Sequence, residues 1–200
     1  MIAVAFIKVF GVFMKIILAS KSPRRKELLS EIFRDFEIIT KEVDESLPKE
    51  VHPREGVEML AIRKGAAVAD EVGADALVIS SDTLVELGGV PLGKPCDEAE
   101  AISMLTSLSG KAHNVHTGVA VHYQGKLYSG VASTAVYFKE MSQDEIIDYV
   151  KSGDPMDKAG AYGIQSGGGK FVEKIEGDYD TVVGLSVALT KRLVDEAQND

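Results

Sequence analysis

The chain has a single cysteine, Cys96, among its 200 residues, so no disulfide can form within it and its composition suits a reducing compartment. The thiol is read either as free in the cytosol or as a small core side chain. Basic residues are also in deficit. The 22 lysines and arginines face 31 acidic residues, for a net charge of −9. That balance argues against sequence-independent binding to a nucleic-acid backbone or an anionic membrane, whose phosphates demand positive charge. No long hydrophobic run is present. Residues 1–13 are mostly apolar, but Lys8 and Gly11 interrupt them and the stretch is too short to cross a bilayer. It also lacks a basic leader region and an A-x-A cleavage site. It is read as an extension, either a start-site artefact ahead of Met14 or an extra packed segment, with 14–200 as a single domain.

Several catalytic templates are missing too. Gly169-Lys170 is followed by Phe171 and Gly110-Lys111 by Ala112, so no Walker-type phosphate loop exists. No G-x-G-x-x-G follows a strand, and no G-x-S-x-G elbow marks a serine hydrolase. His113 and His116 fall on opposite faces of one strand, and with a single cysteine they do not make a zinc site.

What is present is a chain with 45% hydrophobic residues, enough for a full core. Apolar runs at 15–19, 36–40 and 75–81 alternate with helical spacing over 25–34 and 54–72, the signature of βαβ units and an α/β core. Two runs rich in β-branched and aromatic residues, His113 to Tyr123 and Leu127 to Phe138, flank Gln124-Gly125-Lys126 and predict a hairpin, which makes the sheet mixed. Further helices are expected at 97–107, 142–152 and 185–197, the second opened by a Ser142/Glu145 capping box. Ser166-Gly-Gly-Gly169 is read as a mobile loop.

Chemistry concentrates at strand ends and loops. Ser20-Lys-Ser-Pro-Arg24-Arg25 follows an apolar strand and opens a helix, so hydroxyls, guanidiniums and free helical N–H groups gather where a phosphate would sit. The bland reading is an N-cap with an exposed basic pair. Asp82-Thr83 closes a buried strand, the place where open α/β sheets bind ligands, so Asp82 is a candidate base or metal ligand, or else a turn former. Lys94, fixed between Gly93 and Pro95, suits phosphate; Gly-Lys-Pro is equally a simple turn. Asp44-Glu45 offers paired acids of the kind that hold Mg²⁺ together with substrate phosphates, or a solvated acidic loop. Arg63-Lys64 is either surface decoration or a second phosphate clamp. In 157–165, glycines and alanines allow close backbone approach, Tyr162 offers a stacking face and Gln165 can read a base edge, a combination suited to a pyrimidine.

Taken together, 19–25, Val43-Asp-Glu45, Lys64, Ser81-Asp82-Thr83, Gly93-Lys94-Pro95, Asp157 to Gln165, Phe171 to Gly177 and Val182-Val-Gly-Leu185 resemble, in order and spacing, the Maf family of nucleotide pyrophosphatases. The resemblance covers 14–197. It implies an α/β fold with an elongated mixed β-sheet flanked by helices, two lobes around a cleft, related to the inosine triphosphate pyrophosphatase fold. It also implies hydrolysis of a nucleoside triphosphate to the monophosphate and pyrophosphate with a divalent cation, Mg²⁺ or in its stead Mn²⁺ or Co²⁺. The 158–165 strip looks like that of the subgroup acting on dTTP and UTP. In that subgroup's pattern Arg24, Thr83 and Gln165 match specificity positions and Asp82 a proposed proton acceptor. The expected set is then Asp82, Glu45, Lys64 and Lys94 for catalysis, Ser20, Arg24, Arg25, Thr83 and Gln165 for substrate, and Glu45 and Asp82 for metal. Rival readings are a purine or 7-methyl-GTP pyrophosphatase and a nucleotide-binding regulator of septum formation. A cytoplasmic homodimer is the default expectation, with no nucleic acid or membrane partner. Departures from the family pattern are Gly65, where alanine is usual, Asp180, and Ser186 in place of proline.

Overall fold

The computed structural model describes residues 6–9, 12–48 and 50–200. Their order is β1 (Phe6–Val9), β2 (Val12–Leu18), α1 (Pro23–Ser30), β3 (Glu37–Ile38), α2 (Pro53–Val72), β4 (Ala76–Leu87), β5 (Val90–Leu92), α3 (Glu98–Leu108), β6 (Ala112–Tyr123), β7 (Lys126–Phe138), α4 (Gln143–Lys151), β8 (Val172–Glu176), α5 (Tyr179–Val183) and α6 (Val187–Asn199). Three 3₁₀ turns, Asp154–Asp157, Ala159–Ala161 and Gly167–Phe171, lie between α4 and β8. Two helices, α1 and α4, begin where the sequence places caps. Ser22 accepts from the Arg25 amide with Pro23 at the first helical position, and Ser142 and Glu145 form the capping box of α4.

The strands form one eight-stranded mixed sheet in the order β1-β2-β4-β6-β7-β8, with β3 added to β2 and β5 to β4. β2 is parallel to β3 and β4, whereas β4, β6, β7 and β8 each run antiparallel to the next. Long β4, β6 and β7 run through both halves of the molecule and make the sheet elongated. On one face, Leu18, Ile79, Val119 and Val121 pack against Leu29 of α1 and Leu193 of α6. Farther along that face, Val85, Val115, Val136 and Phe138 pack under Leu105 of α3 and Ile146 of α4. These are the two lobes. The opposite face is covered by α2, with Val68 against Ile17 and Val78.

One irregularity of the sheet positions everything that follows. β2 borders β4 only as far as the Leu18–Ile79 pair, and β5 takes up the same edge only from Val85. Between these points Ser80 to Leu84 keeps β6 as a neighbour on its other side alone. The sheet is notched there, and Asp82 lies at the centre of the notch.

Several expectations need correction. The strand expected to end near Asp82 continues to Leu87, because β6 pairs with it without interruption from Val78 to Glu86. Asp82 is therefore in mid-strand and lies beyond the carboxyl end of β2 instead. The helix expected over 25–34 ends at Ser30, and the strand expected over 36–40 shrinks to Glu37–Ile38. β5, β8 and α5 were not foreseen. Ser166–Gly169 leads into the 3₁₀ turn Gly167–Phe171 and is closely packed: a Cβ on Gly169 would lie 2.4 Å from the Ile164 carbonyl oxygen, and one on Gly168 2.9 Å from the Tyr149 hydroxyl. Cys96 is exposed, not a core residue. Of residues 1–13, read as an extension, 1–5, 10 and 11 lie outside the described residues. Among the described residues no helix is long and apolar enough to cross a membrane.

Candidate active site

A cleft of about 1170 Å³ opens at the notch, between the two lobes. Ser20, Arg24, Arg25, Glu45, Lys64, Asp82, Thr83, Lys94 and Gln165 all line it, so the fold brings every residue of the expected set to one place.

On the α2 side of the sheet, Lys64 Nζ donates to Asp82 Oδ1 at 2.5 Å and lies 2.9 Å from Glu45 Oε1. The lysine and aspartate side chains are only 17% and 14% exposed, whereas Glu45 is 60% exposed. The hydrogen bond from Lys64 holds Glu45 below the usual carboxylate range against the opposing effect of burial, and the charges of Lys64, Lys94 and Arg25 add to it. Two ambiguous pairs in the sequence are resolved by this geometry. Asp44 turns away to accept from the Ser46 amide and hydroxyl at 2.8 Å each, and only Glu45 enters the cleft. Arg63 likewise donates to the Asp44 and Ser46 carbonyl oxygens and ties down residues 44–46, leaving Lys64, a helical step of about 100° away, to face the notch. With two of its three N–H donors committed to carboxylates, Lys64 is first a clamp on acids and only then a phosphate ligand.

On the other face, the Gly184 carbonyl oxygen is a hub. It accepts from Arg25 Nε at 3.0 Å and Ser81 Oγ at 2.9 Å, with Thr83 Oγ1 at 3.4 Å. Arg25 also reaches Ser20 Oγ at 3.3 Å and Thr83 Oγ1 at 3.4 Å. Thr83 Oγ1 is 3.0 Å from Thr117 Oγ1, which donates to the Thr181 carbonyl oxygen at 2.7 Å. Arg25 therefore fixes the 181–184 segment to α1 and β4 as well as facing the cleft, while Arg24 reaches across the cleft to Asp157 at 3.7 Å. Thr117 carried no sequence signal, and Gly184, although part of the Val182-Val-Gly-Leu185 motif, was given no role of its own. One is a polar residue inside an apolar strand, and the other acts through its backbone.

The 157–166 strip forms the far wall. Gln165 is exposed at its tip, and the Gly160 amide donates to the Gly93 carbonyl oxygen at 3.0 Å, tying the strip to the Lys94 loop. Tyr162 does not offer a stacking face. Its ring is buried edge-on to His113 and Phe138, and its hydroxyl is 2.8 Å from His113 Nε2. His113 and His116 indeed take separate partners, the latter bonding Glu86 at 2.8 Å.

The Maf-like family model matches residues 15–197. The chain belongs to the Maf family. Curated relatives include the dTTP/UTP pyrophosphatase of Thermococcus kodakarensis, 46% identical over 89% of this chain and 94% of that protein. Those of Vibrio cholerae and Bacillus cereus are 47% and 48% identical, over 90% and 91% of this chain and 96% and 93% of theirs. Among solved structures, the Staphylococcus aureus Ham1 protein aligns at a TM-score of 0.47 and 17% identity, over 62% of this chain and 71% of that one. The two departures near 180–186 both act on the start of α6. Asp180 accepts from the Val187 amide at 2.6 Å and Ser186 caps α6, so two side chains secure the helix start that leads out of the Gly184 hub. Gly65 has its own partner: a Cβ there would lie 2.5 Å from Ser80 Oγ and 2.7 Å from the His122 ring.

Glu45 and Asp82 suit a divalent cation. Both are hard oxygen donors, and both converge on the point now bridged by the Lys64 ammonium. Among the described residues no cluster of at least three acidic, histidine or cysteine side chains could hold a metal, so a cation bound by these two carboxylates would need its remaining oxygen ligands from elsewhere.

Proposed function

We propose that this protein hydrolyses dTTP and UTP to the monophosphate and pyrophosphate in the cleft at the β4 notch. The observation that carries the proposal is the convergence of Asp82, Glu45 and Lys64 opposite Arg24, Arg25 and Lys94 around one opening large enough for a nucleotide. The relatives named dTTP/UTP pyrophosphatase support the choice of base.

In this reading Arg24 and Arg25 hold the triphosphate through guanidinium contacts and Lys94 as a point charge, with Ser20 and the α1 N-terminus completing the cradle. Water attacks the α-phosphorus, the bond to the bridging oxygen breaks and the diphosphate departs. Asp82 takes the proton of that water, and the hydrogen bond from Lys64 keeps Asp82 aimed. A divalent cation held by Glu45 and Asp82 would neutralise phosphate oxygens when bound. Thr83 and Gln165 select the nucleotide from opposite walls. The proposal extends to a cytoplasmic homodimer, supported by the reducing-compartment composition and by the commonness of symmetric pairs.

The test is pyrophosphate release from dTTP, UTP, CTP, GTP, ITP and 7-methyl-GTP with Mg²⁺. Preference for dTTP and UTP, blurred in Gln165→Ala, is the expected result. Turnover of purines alone would overturn the base assignment, and turnover of none would overturn the enzymatic reading.

A further inference from the structure

One carboxylate in the far wall takes no part in the chemistry above, yet several elements meet on it. Asp154 Oδ2 accepts from Tyr149 Oη and from Ser166 Oγ, each at 2.6 Å, and Oδ1 accepts from Lys158 Nζ at 3.1 Å. Lys158 also donates to the Asp154 carbonyl oxygen and to Asp157 Oδ1 at 2.6 Å. Tyr149 belongs to α4 and is buried in the core of its lobe, so its hydroxyl is a fixed point. Lys158 and Ser166 are the two ends of the strip that carries Gln165.

The strip is wound tightly around this knot. The Gly163 amide donates to Tyr149 Oη at 3.2 Å, and a Cβ on Gly163 would lie 2.4 Å from Ser166 Oγ and 2.6 Å from Lys158 Cε. Ser166 has one proton, and at 2.6 Å against 3.3 Å for the Gly163 carbonyl oxygen it goes to Asp154. Burial pushes the Asp154 carboxyl up, but the hydrogen bonds from Ser166, Tyr149 and Lys158 outweigh it and hold the group below its ordinary value, ionised at neutral pH. Only an anion can accept from all of these donors. An amide would turn its N–H₂ toward either the hydroxyls, which then lose their acceptor, or the ammonium, which then loses one of its three acceptors and faces an N–H₂ instead.

We infer that Asp154 is a positioning residue for nucleotide selection: its carboxylate fastens both ends of the 158–166 strip to α4 and so sets where Gln165 meets the base. The inference rests on the reading of the cleft as a nucleotide site. Asp154 bonds Tyr149, Lys158 and Ser166 and none of the residues assigned to the phosphates, so its loss alters which base is accepted far more than the rate at which a well-placed substrate reacts.

The test is steady-state kinetics of the full chain with dTTP, UTP, CTP, ATP and GTP, comparing wild type with Asp154→Asn, Asp154→Glu and Ser166→Ala. In Asp154→Asn the ratio of the highest to the lowest kcat/KM in the panel falls about tenfold or more. The fall comes through a raised KM for the preferred nucleotide, while kcat drops less than about threefold. Asp154→Glu, which restores the anion, returns the ratio to within about threefold of wild type, and Ser166→Ala gives a smaller fall than Asp154→Asn. An unchanged ratio, or a uniform loss of kcat across the panel at constant KM, overturns the inference. Should Asp154→Asn not fold, Ser166→Ala and Tyr149→Phe are judged by the same criterion. Because the readout is a ratio within the panel, a wild-type preference for purines would sink the proposed substrate while leaving this test intact. If wild type turns over nothing, calorimetric binding of the same panel in EDTA supplies the ratio, and absence of binding overturns both.

Discussion

Replacing Asp82 by asparagine separates catalysis from folding more cleanly than any other change at the site. The amide keeps the shape of the side chain but cannot take a proton from water. Loss of a positioned general base slows turnover by roughly a hundredfold or more, equivalent to about 2.7 kcal/mol of transition-state stabilisation. Stability moves much less. The Lys64–Asp82 bond at 2.5 Å is charge-assisted and contributes about 1.5–3 kcal/mol. Against that, a carboxylate only 14% exposed gives up much of its hydration on folding, a cost the neutral amide escapes. Lys64 also retains Glu45 at 2.9 Å. The two effects offset to about 1 kcal/mol or less, a shift of roughly 2–4 °C in Tm for a chain of this size. Pyrophosphate release and thermal unfolding of the same preparation decide the matter. Near-normal turnover refutes the role of Asp82, and a Tm lowered by more than about 10 °C would mean that the ion pair is structural.

Three further outcomes are expected. Gly65→Ala places a Cβ 2.5 Å from Ser80 Oγ and 2.7 Å from His122, so it destabilises the fold by about 1–3 kcal/mol in urea titration, and adding His122→Ala recovers part of that loss; a neutral single mutant would show that α2 does not seat there. Burial pushes His113 from 6.5 down to about 4, so between those values the unfolded chain binds the extra proton. Stability is then fully present above pH 6.5 and falls on acidification, by about 2 kcal/mol at pH 5, a slope that His113→Gln should flatten in urea midpoints at pH 7 and pH 5. Finally, EDTA abolishes pyrophosphate release and Mg²⁺ restores it, whereas activity that survives exhaustive chelation would remove Glu45 and Asp82 as metal ligands.

The elements that do most of the packing were legible because their signals are local. Alternation in 113–123 and 127–138 gave the hairpin, helical spacing gave α2, and Ser142 with Glu145 gave the start of α4. β5 and β8 were missed since short strands carry little periodicity and are stabilised by the neighbour they join. Tyr162 was misjudged for a related reason. An aromatic in a glycine-rich strip can face a ligand or the core, and only the positions of His113 and Phe138 decide which. Asp44 against Glu45, and Arg63 against Lys64, were undecidable from spacing, because neighbouring residues differ in direction and the direction matters only once α2 lies over β4.

The sequence by itself determined the chemistry available to this protein: a hydroxyl and guanidinium cluster at a helix start, an acid pair, a lysine on α2, an Asp-Thr after an apolar run and a glycine-rich strip ending in Gln165. Each can be named from the chain because it is a property of side chains and their near neighbours. Only the tertiary structure decided that these groups share a cleft. The notch in β4 arises because β2 stops at Leu18 and β5 ends at Leu92, opposite Val85, a fact about which strand ends beside which. The Gly184 hub and the Asp154 knot join residues up to 159 positions and 12 positions apart, respectively. Such contacts depend on distances that packing sets, and no local pattern in the chain encodes them.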